Sequence, residues 1–198
     1  MITKDTYKEI QGWLSDREAT ALQQVARELT VLEIGTWKGK SAIAMAATAT
    51  SVVTIDNFFG DDFTGKAFTL PEAVENFRKY DNEQKITLVI KDFKELAKSR
   101  FLFSAVYNVS VVYYDADHTR EAVISFTQLL DKFGQYGKLP IIAFHDYEFS
   151  PVYQEGVSEF KNYFDKFLKD SYRLVIVDRL ALAIPDWRLK EFPELLTD

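Results

Sequence analysis

The sequence of 198 residues contains no cysteine, which excludes disulfide bonds, thiolate metal sites and a cysteine nucleophile. No apolar run reaches the roughly 20 residues that a membrane-spanning helix needs. The first five residues, Met1 to Asp5, lack the apolar core of a signal peptide. We therefore expect a cytoplasmic protein with no membrane partner.

A basic run is also absent. Lys and Arg number 24 and Asp and Glu number 30, which gives a formal net charge of −6. Proteins that bind nucleic acids neutralise phosphates with clustered cations, so we expect no nucleic-acid partner. Hydrophobic residues make up 47% of the chain, a value typical of folded domains, and the length suits a single domain.

Short apolar runs alternate with segments of helical spacing along most of the chain. We predict strands at Val31–Ile34, Ser51–Ile55, Ile86–Ile90, Val109–Tyr114, Leu139–Phe144, Arg173–Val177 and Leu180–Ile184. We predict helices at Ser41–Thr48, Pro71–Lys79, Phe93–Ser99, Arg120–Phe133 and Tyr153–Leu168. This alternation predicts a doubly wound α/β fold with a mainly parallel sheet.

The two ends of the chain depart from the alternation. Only Asp178 and Arg179 separate the last two predicted strands, so these strands should form an antiparallel hairpin. The apolar spacing in Lys4–Glu28 predicts one or two amphipathic helices packed on the sheet. We therefore expect one domain, with a helical segment over residues 1–28, a sheet core over 29–185 and a tail over 186–198.

The longest irregular segment, Asn57–Leu70, contains four phenylalanines, at positions 58, 59, 63 and 68. A loop of this length and aromatic content is often a lid over a binding site. It is equally consistent with a flap tucked over the core, and the sequence leaves both interpretations open.

Two glycines four positions apart follow the first predicted strand. Gly35 would let a ligand approach the backbone, and Gly39 would allow a tight turn into the next helix, whose free N–H groups favour an anion. The pattern is not GxGxxG, because Trp37 takes the middle position, and it is not a phosphate-binding P-loop. A plain tight turn is the alternative.

An acidic residue ends each of the next two predicted strands. Asp56 lies 23 positions after Glu33, where an acid can hold the two hydroxyls of a ribose. Asp92 ends the third strand at the same edge of the predicted sheet. It either accepts a hydrogen bond from an adenine amino group or caps the helix that begins at Phe93.

These motifs resemble class I S-adenosylmethionine-dependent methyltransferases over nearly the whole chain. The resemblance implies a sheet of order 3-2-1-4-5-7-6 with the seventh strand antiparallel, and S-adenosylmethionine as cofactor. It also implies a cofactor site in which Asp56 binds the ribose and Asp92 the adenine end. The residues implied near the methionine moiety are Glu33, Gly35, Thr36, Trp37, Gly39 and Ser41.

Both histidines of the chain follow predicted neighbouring strands, and each lies beside aspartate. The fourth strand leads into Asp115, Asp117 and His118, and the fifth into His145 and Asp146. Carboxylates with imidazole suit Mg²⁺, Mn²⁺ or Fe²⁺. As alternatives, Asp117 or Asp146 caps a helix or turn, and His145 is a hydrogen-bonded residue of the strand edge.

This second group resembles the metal-dependent O-methyltransferases of the catechol, caffeoyl-coenzyme A and macrolide-sugar types. The resemblance implies that Asp115, His145 and Asp146 hold a divalent metal, Mg²⁺ or Mn²⁺, although a His-Asp pair replaces the Asp-Asn pair of the plant-type enzymes. It implies that His118 stands where those enzymes carry a catalytic lysine. A homodimer would also suit the family.

The hypothesis that follows is metal-assisted methylation of a small-molecule hydroxyl, on a sugar or a phenol, with Asp115 and His118 as catalytic residues. A first alternative is a non-catalytic protein of the same fold that only binds the cofactor. A second is a non-heme metal oxygenase or hydrolase that uses two histidines and a carboxylate.

Overall fold

The computed structural model describes residues 2–60, 65, 67–98, 108–135, 140–147 and 153–196. Within them the strands are β1 (Thr30–Ile34), β2 (Ser51–Asp56), β3 (Ile86–Ile90), β4 (Val111–Tyr114), β5 (Ile141–Phe144), β6 (Tyr172–Val177) and β7 (Leu180–Pro185). The α-helices are α1 (Asp16–Ala26), α2 (Lys40–Ala46), α3 (Leu70–Tyr80), α4 (Phe93–Lys98), α5 (Arg120–Gln135) and α6 (Gln154–Tyr163). Shorter helical turns are Thr6–Glu9, Phe164–Leu168, Asp186–Glu191 and Pro193–Leu195.

The strands form one sheet in the order β3-β2-β1-β4-β5-β7-β6. Strands β1 to β5 pair in parallel, and β7 runs antiparallel to both β5 and β6. Both the α/β class and the implied strand order are therefore confirmed. In this register Ile34 of β1 lies beside Ile55 of β2 and Tyr114 of β4, so the carboxyl ends of the central strands meet at one edge.

Successive residues of β1 and β4 point to opposite faces of the sheet, and each face is covered by its own apolar cluster. Leu32 and Tyr114 belong to the cluster that α5 and α6 cover. Val31 and Tyr113 belong to the cluster that α1 and α2 cover. The near-continuous apolar runs of these strands follow from this burial on both faces.

Helix α1 begins at a capping box. The Ser15 hydroxyl accepts a hydrogen bond from the backbone N–H of Glu18, while a Glu18 carboxylate oxygen accepts one from the Ser15 N–H at 2.8 Å. This reciprocal cap fixes the end of α1 next to the β6–β7 hairpin. The predicted amphipathic segment Lys4–Glu28 therefore contains a short 3₁₀ turn and one α-helix.

The predicted elements are all found, with shifts at their ends. Strand β4 begins at Val111 rather than Val109, and the predicted final helix ends as a π-helical turn, Phe164–Leu168. The predicted termini Leu139 and Ser99 lie outside the described residues. None of the described helices is long and apolar enough to cross a membrane.

The aromatic loop before α3 is described in part, and Phe63 lies outside the described residues. Phe58 is buried in the protein, as the flap interpretation expects. Phe59 and Phe68 are mostly exposed, with their ring centroids 6.2 Å apart. The loop therefore combines one packed aromatic side chain with an exposed aromatic pair.

Candidate functional site

A cavity of about 600 Å³ lies at the carboxyl edge of the sheet. It is lined by eleven of the thirteen candidate residues named from the sequence: Gly35, Thr36, Trp37, Ser41, Asp56, Asp92, Asp115, Asp117, His118, His145 and Asp146. The two predicted residues outside this lining are Glu33 and Gly39. One cavity thus joins the glycine loop to the histidine–aspartate group.

Gly35 allows the backbone that follows β1 to lie close to the backbone that follows β4. Its φ angle is +98°, and an added Cβ atom would lie 1.9 Å from the backbone oxygen of Asp115. Gly39 also has a positive φ angle, +84°, at the start of α2, and a Cβ there would lie 2.5 Å from the Phe77 ring. The first glycine therefore sets the distance between the loop and Asp115.

Glu33 is fully buried beneath the glycine loop instead of lining the cavity. The hydroxyl groups of Ser41 and Thr54 donate hydrogen bonds to its two carboxylate oxygens, each at 2.5 Å. Burial, with a smaller effect of the nearby Asp115 and Asp56 carboxylates, raises the pKa of Glu33 to about 8. Glu33 therefore supports the loop from below as a buried acid.

Asp56 holds the loop from the side. One carboxylate oxygen accepts hydrogen bonds from the backbone N–H groups of Thr36 and Trp37, at 2.7 and 2.9 Å. The other accepts from the N–H of Phe58 at 2.6 Å. Asp56 is partly exposed in the cavity, so the same carboxylate that orders the loop also faces the place where a ligand would bind.

Asp92 caps α4 and also faces the cavity. Its carboxylate accepts a hydrogen bond from the N–H of Lys94 at 2.8 Å, in the first turn of α4. It is also partly exposed and lines the cavity. Helix capping therefore leaves part of this carboxylate available to a ligand.

Asp115, His145 and Asp146 form a group whose possible ligand atoms all lie within 4.8 Å of one another. His145 Nδ1 is 3.1 Å from Asp115 Oδ1 and 3.5 Å from Asp146 Oδ1. The other oxygen of Asp115 accepts a hydrogen bond from the buried hydroxyl of Tyr113 at 2.9 Å. The ends of β4 and β5 therefore present two carboxylates and one imidazole nitrogen to the same part of the cavity.

Two further residues of this cluster were missed in the sequence. Glu18 of α1 is fully buried, and its Oε2 atom lies 3.4 Å from His145 Nε2. Arg179, in the turn between β6 and β7, donates from Nη1 to Asp146 Oδ1 at 3.1 Å and from its backbone N–H to Glu18 at 2.9 Å. Distant parts of the sequence thus meet at His145.

Attraction between the opposite charges of this cluster offsets the free-energy cost of burying them. Burial alone would raise the pKa of Asp115 and of Glu18, but the nearby His145 and hydrogen bonds hold both values at about 2. Burial would lower the pKa of His145, but Asp115, Asp146 and Glu18 together raise it well above its usual value. The surrounding carboxylates therefore favour the imidazolium form of His145.

His118 is buried at the cavity wall. Its Nε2 atom lies 3.0 Å from the backbone carbonyl oxygen of His145, which can only accept, so Nε2 carries a proton and donates it. Nδ1 is then the ring nitrogen that can accept a proton. The ring packs against Tyr153, with centroids 4.6 Å apart, and Tyr153 also lines the cavity.

The mouth of the cavity is partly aromatic. The rings of Trp13 and Trp37 lie 4.7 Å apart at a tilt of 35°. Trp13 is 52% exposed, and it lines the cavity together with its neighbours Gly12 and Leu14. Trp13, which precedes α1, is the second contribution of the N-terminal segment to this site.

A family model described as "Methyltransferase domain" matches residues 32–147, more than half of the chain. The match extends from β1 through the glycine loop to the His145-Asp146 pair at the end of β5. No curated protein sequence matches the chain significantly.

Solved structures of low sequence identity share the fold. Cofactor-bound Rv0187 from MTB has a TM-score of 0.64 and 16% identity, over 92% of this chain and 85% of that one. An O-methyltransferase from Bacillus cereus, in complex with SAH, has a TM-score of 0.62 and 14% identity, over 91% and 90%. An rRNA methylase from Streptococcus thermophilus has a TM-score of 0.58 and 9% identity, over 89% and 98%.

Proposed function

Since the chain belongs to the methyltransferase domain family and is S-adenosylmethionine-dependent, we propose that it methylates a small-molecule hydroxyl with help from a divalent metal ion. The observation that carries this proposal is the shared cavity, in which the Asp115–His145–Asp146 group faces the glycine loop and Asp56. A cofactor site and a site for activating a hydroxyl would then be neighbours.

The cofactor would use the groups around the glycine loop. Asp56 is suited to the ribose hydroxyls, because it is partly exposed and retains acceptor capacity beside its bonds to the loop. Asp92 is suited to the adenine end in the same way. We assign Glu33 a supporting role beneath the loop, since it is fully buried away from the cavity lining.

The donor set fits a divalent metal ion. Two carboxylates and one imidazole suit Mg²⁺, Mn²⁺ or Fe²⁺, and the buried Nε2 of His145 is oriented towards an acceptor, Glu18, on the side away from the other two ligands. When bound, such an ion would lower the pKa of an acceptor hydroxyl and hold it in place. Asp115, His145 and Asp146 are the residues that would hold it.

Methyl transfer itself needs alignment and removal of a proton. The acceptor oxygen uses a lone pair to form a bond to the methyl carbon of S-adenosylmethionine as the carbon–sulfur bond breaks. The electron pair of the carbon–sulfur bond stays on sulfur in S-adenosylhomocysteine. His118 can take the hydroxyl proton on Nδ1, because its Nε2 proton is held by the carbonyl of His145. Orientation of the two reactants in the cavity can contribute roughly 7–11 kcal/mol to the lowering of the barrier.

A small molecule is the acceptor that the cavity and the charge favour. The cavity volume of about 600 Å³ lies in the usual range for small-molecule sites. The net charge of −6 disfavours a nucleic acid, although an rRNA methylase shares the fold. We propose a sugar or phenolic hydroxyl as the acceptor class and cytoplasm as the location.

The experiment that tests the proposal is a thermal-shift titration with S-adenosylhomocysteine, with and without Mn²⁺, followed by a methyl-transfer screen over sugars and phenols. A ligand at 100 times its Kd adds about 2.7 kcal/mol, which should raise Tm by roughly 5–10 °C. Asp115→Asn should abolish turnover and metal binding and leave cofactor affinity largely intact. Asp186→Asn, on an exposed aspartate, is the matched control.

Each outcome has a distinct meaning. A cofactor shift that grows with Mn²⁺, together with a turnover that only Asp115→Asn removes, supports the whole proposal. A cofactor shift that is independent of metal contradicts the metal-assisted mechanism. A cofactor shift without transfer to any acceptor favours the non-catalytic alternative, and methylation of RNA would contradict the acceptor class.

A further inference from the structure

We propose that Glu18 is a positioning residue that holds His145 in the tautomer required for metal binding through Nδ1. The inference rests on the metal site of the proposed function and extends it to a helix outside the matched domain, because α1 precedes residue 32. The carboxylate lies on the side of the imidazole ring opposite Asp115 and Asp146.

The first observation is an unpaired buried nitrogen. His145 is 2% exposed, and its Nε2 atom forms no hydrogen bond of normal geometry within the described residues. Its nearest acidic neighbour is Glu18 Oε2, at 3.4 Å. A buried polar nitrogen without a partner is costly, so a small movement that completes the bond to Glu18 is strongly favoured.

The second observation is how firmly Glu18 is held. Its Oε2 atom accepts a hydrogen bond from the N–H of Ser15 at 2.8 Å, and its Oε1 atom accepts one from the N–H of Arg179 at 2.9 Å. The side chain is fully buried, so no water competes for these oxygens. Both donors are backbone groups, and they aim the carboxylate at His145.

The tautomer follows from these contacts. Nδ1 of His145 faces Asp115 and Asp146, and to bind a metal it must offer a free lone pair in their direction. The single proton of a neutral imidazole must then be on Nε2, where Glu18 is the available acceptor. A carboxylate behind a ligating histidine commonly fixes its ring and raises its basicity.

The balance of charge supports the same conclusion. Three carboxylates, those of Glu18, Asp115 and Asp146, surround one imidazole, and Arg179 contributes one guanidinium. The carboxylates therefore outnumber the cationic groups even when His145 is protonated. A divalent cation in place of the Nδ1 proton would neutralise the buried cluster.

The test compares Glu18→Gln with Ser15→Ala. Gln has the same size but only one acceptor oxygen. Its NH2 group must therefore face either the Arg179 N–H or the Ser15 N–H and His145 Nε2, so the contact that orients the ring is no longer enforced. Ser15→Ala removes the hydroxyl that accepts from the Glu18 N–H and leaves the carboxylate in place, so it controls for weakening of α1. Both proteins are titrated with Mn²⁺, with free ion followed by electron paramagnetic resonance.

We expect Glu18→Gln to weaken Mn²⁺ binding by about 10- to 100-fold. Affinity for S-adenosylhomocysteine should remain within a few-fold of wild type, and Ser15→Ala should keep the wild-type affinity for Mn²⁺. Equal Mn²⁺ affinity of wild type and Glu18→Gln would overturn the role of Glu18 but not the metal-assisted mechanism. A wild-type protein that takes up neither Mn²⁺ nor Mg²⁺ would overturn both the inference and the metal-assisted mechanism.

A second measurement needs no variant at position 18. The chain has only two histidines, so nitrogen-15 spectra of the imidazole rings are simple to assign with a His118→Gln sample. In wild type saturated with Mg²⁺, His145 should carry its proton on Nε2. A proton on Nδ1 with a bare Nε2 would overturn the inference, even if Glu18→Gln fails to fold.

Discussion

The carboxylate of Asp56 at the end of β2 holds the backbone of Thr36 after β1, with 2.7 Å between Oδ2 and N. An aspartate proposed to bind a ribose therefore also shapes the glycine loop. Asp56→Asn should weaken S-adenosylhomocysteine binding by roughly 10- to 100-fold, since hydrogen bonds to a charged group are worth about 1.5–3 kcal/mol each. Calorimetric titration checks this, and wild-type affinity in the variant would contradict the role of Asp56.

His118 should affect the reaction without affecting the cofactor. The amide of Gln can still donate to the carbonyl of His145, so His118→Gln keeps that contact but has no group that takes up a proton. With an acceptor from the screen, we expect single-turnover methyl transfer to slow by about 10²- to 10⁴-fold. S-adenosylhomocysteine affinity should stay within twofold. A rate within threefold of wild type would show that a group other than His118 takes up the hydroxyl proton.

Tyr113 offers a measure of how strongly Asp115 is held. Tyr113→Phe removes the hydroxyl that donates to the Asp115 carboxylate, and we expect it to lower the free energy of unfolding by about 1.5–3 kcal/mol. Tyr172→Phe is the control, because that hydroxyl donates to the neutral carbonyl of Pro140 and should cost about 0.5–1.5 kcal/mol. Urea unfolding at neutral pH measures both, and the reverse ranking would contradict a charged Asp115.

Glu33 should make stability depend on pH. Its folded-state pKa of about 8 lies above the ordinary value of 4.5, so the folded protein keeps a proton that the unfolded chain releases between these values. The contribution of Glu33 is complete below pH 4.5 and is lost as the pH rises through about 8, at about 1.4 kcal/mol per pH unit.

The measurement for Glu33 is the difference between two pH profiles. The free energy of unfolding is determined for wild type and Glu33→Gln between pH 5.5 and 8. The free energy of unfolding of wild type, measured relative to that of Glu33→Gln, should decrease steadily as the pH rises to 8, because Gln does not titrate. Parallel profiles would show that Glu33 does not hold a proton in the folded state.

The glycine at the end of β1 should be irreplaceable. Gly35→Ala would bring a methyl group to 1.9 Å from the backbone oxygen of Asp115, in a backbone conformation that L-residues rarely adopt, so we expect loss of the folded protein. Gly134→Ala, in α5 with open space around it, should stabilise the protein by up to about 1 kcal/mol. Circular dichroism melting compares the two, and a folded Gly35→Ala would mean that the backbone of Gly35 does not lie this close to Asp115.

The fold could be predicted to a large extent because the signals for it are local. Apolar strands buried on both faces of the sheet, and the two-residue turn of Asp178 and Arg179, can be recognised within a few residues. The order of the strands came from the resemblance, since no local pattern states which strands are neighbours. Element ends shifted where pairing decided them, as at Val109, which precedes the first paired residue of β4.

The site was predicted where its residues follow the strands and missed where they do not. Glu18 has a complete local explanation as the third helical residue of a capping box that begins at Ser15, and Arg179 has one as a turn residue, so neither suggested a site. For Glu33 a signal existed. Alternation along β1 puts it on the face of Val31, under α1 and α2, whereas a position along the cofactor was expected from the resemblance.

The hydrogen bond between Arg179 and Glu18 joins residues 161 positions apart. Its formation closes a loop that includes most of the chain, a step that costs conformational entropy and slows folding. During synthesis, α1 and the central strands leave the ribosome well before the hairpin that fixes Glu18. The pocket around His145 is therefore among the last parts of the molecule to be completed, and a nascent chain contains the glycine loop before it contains Arg179.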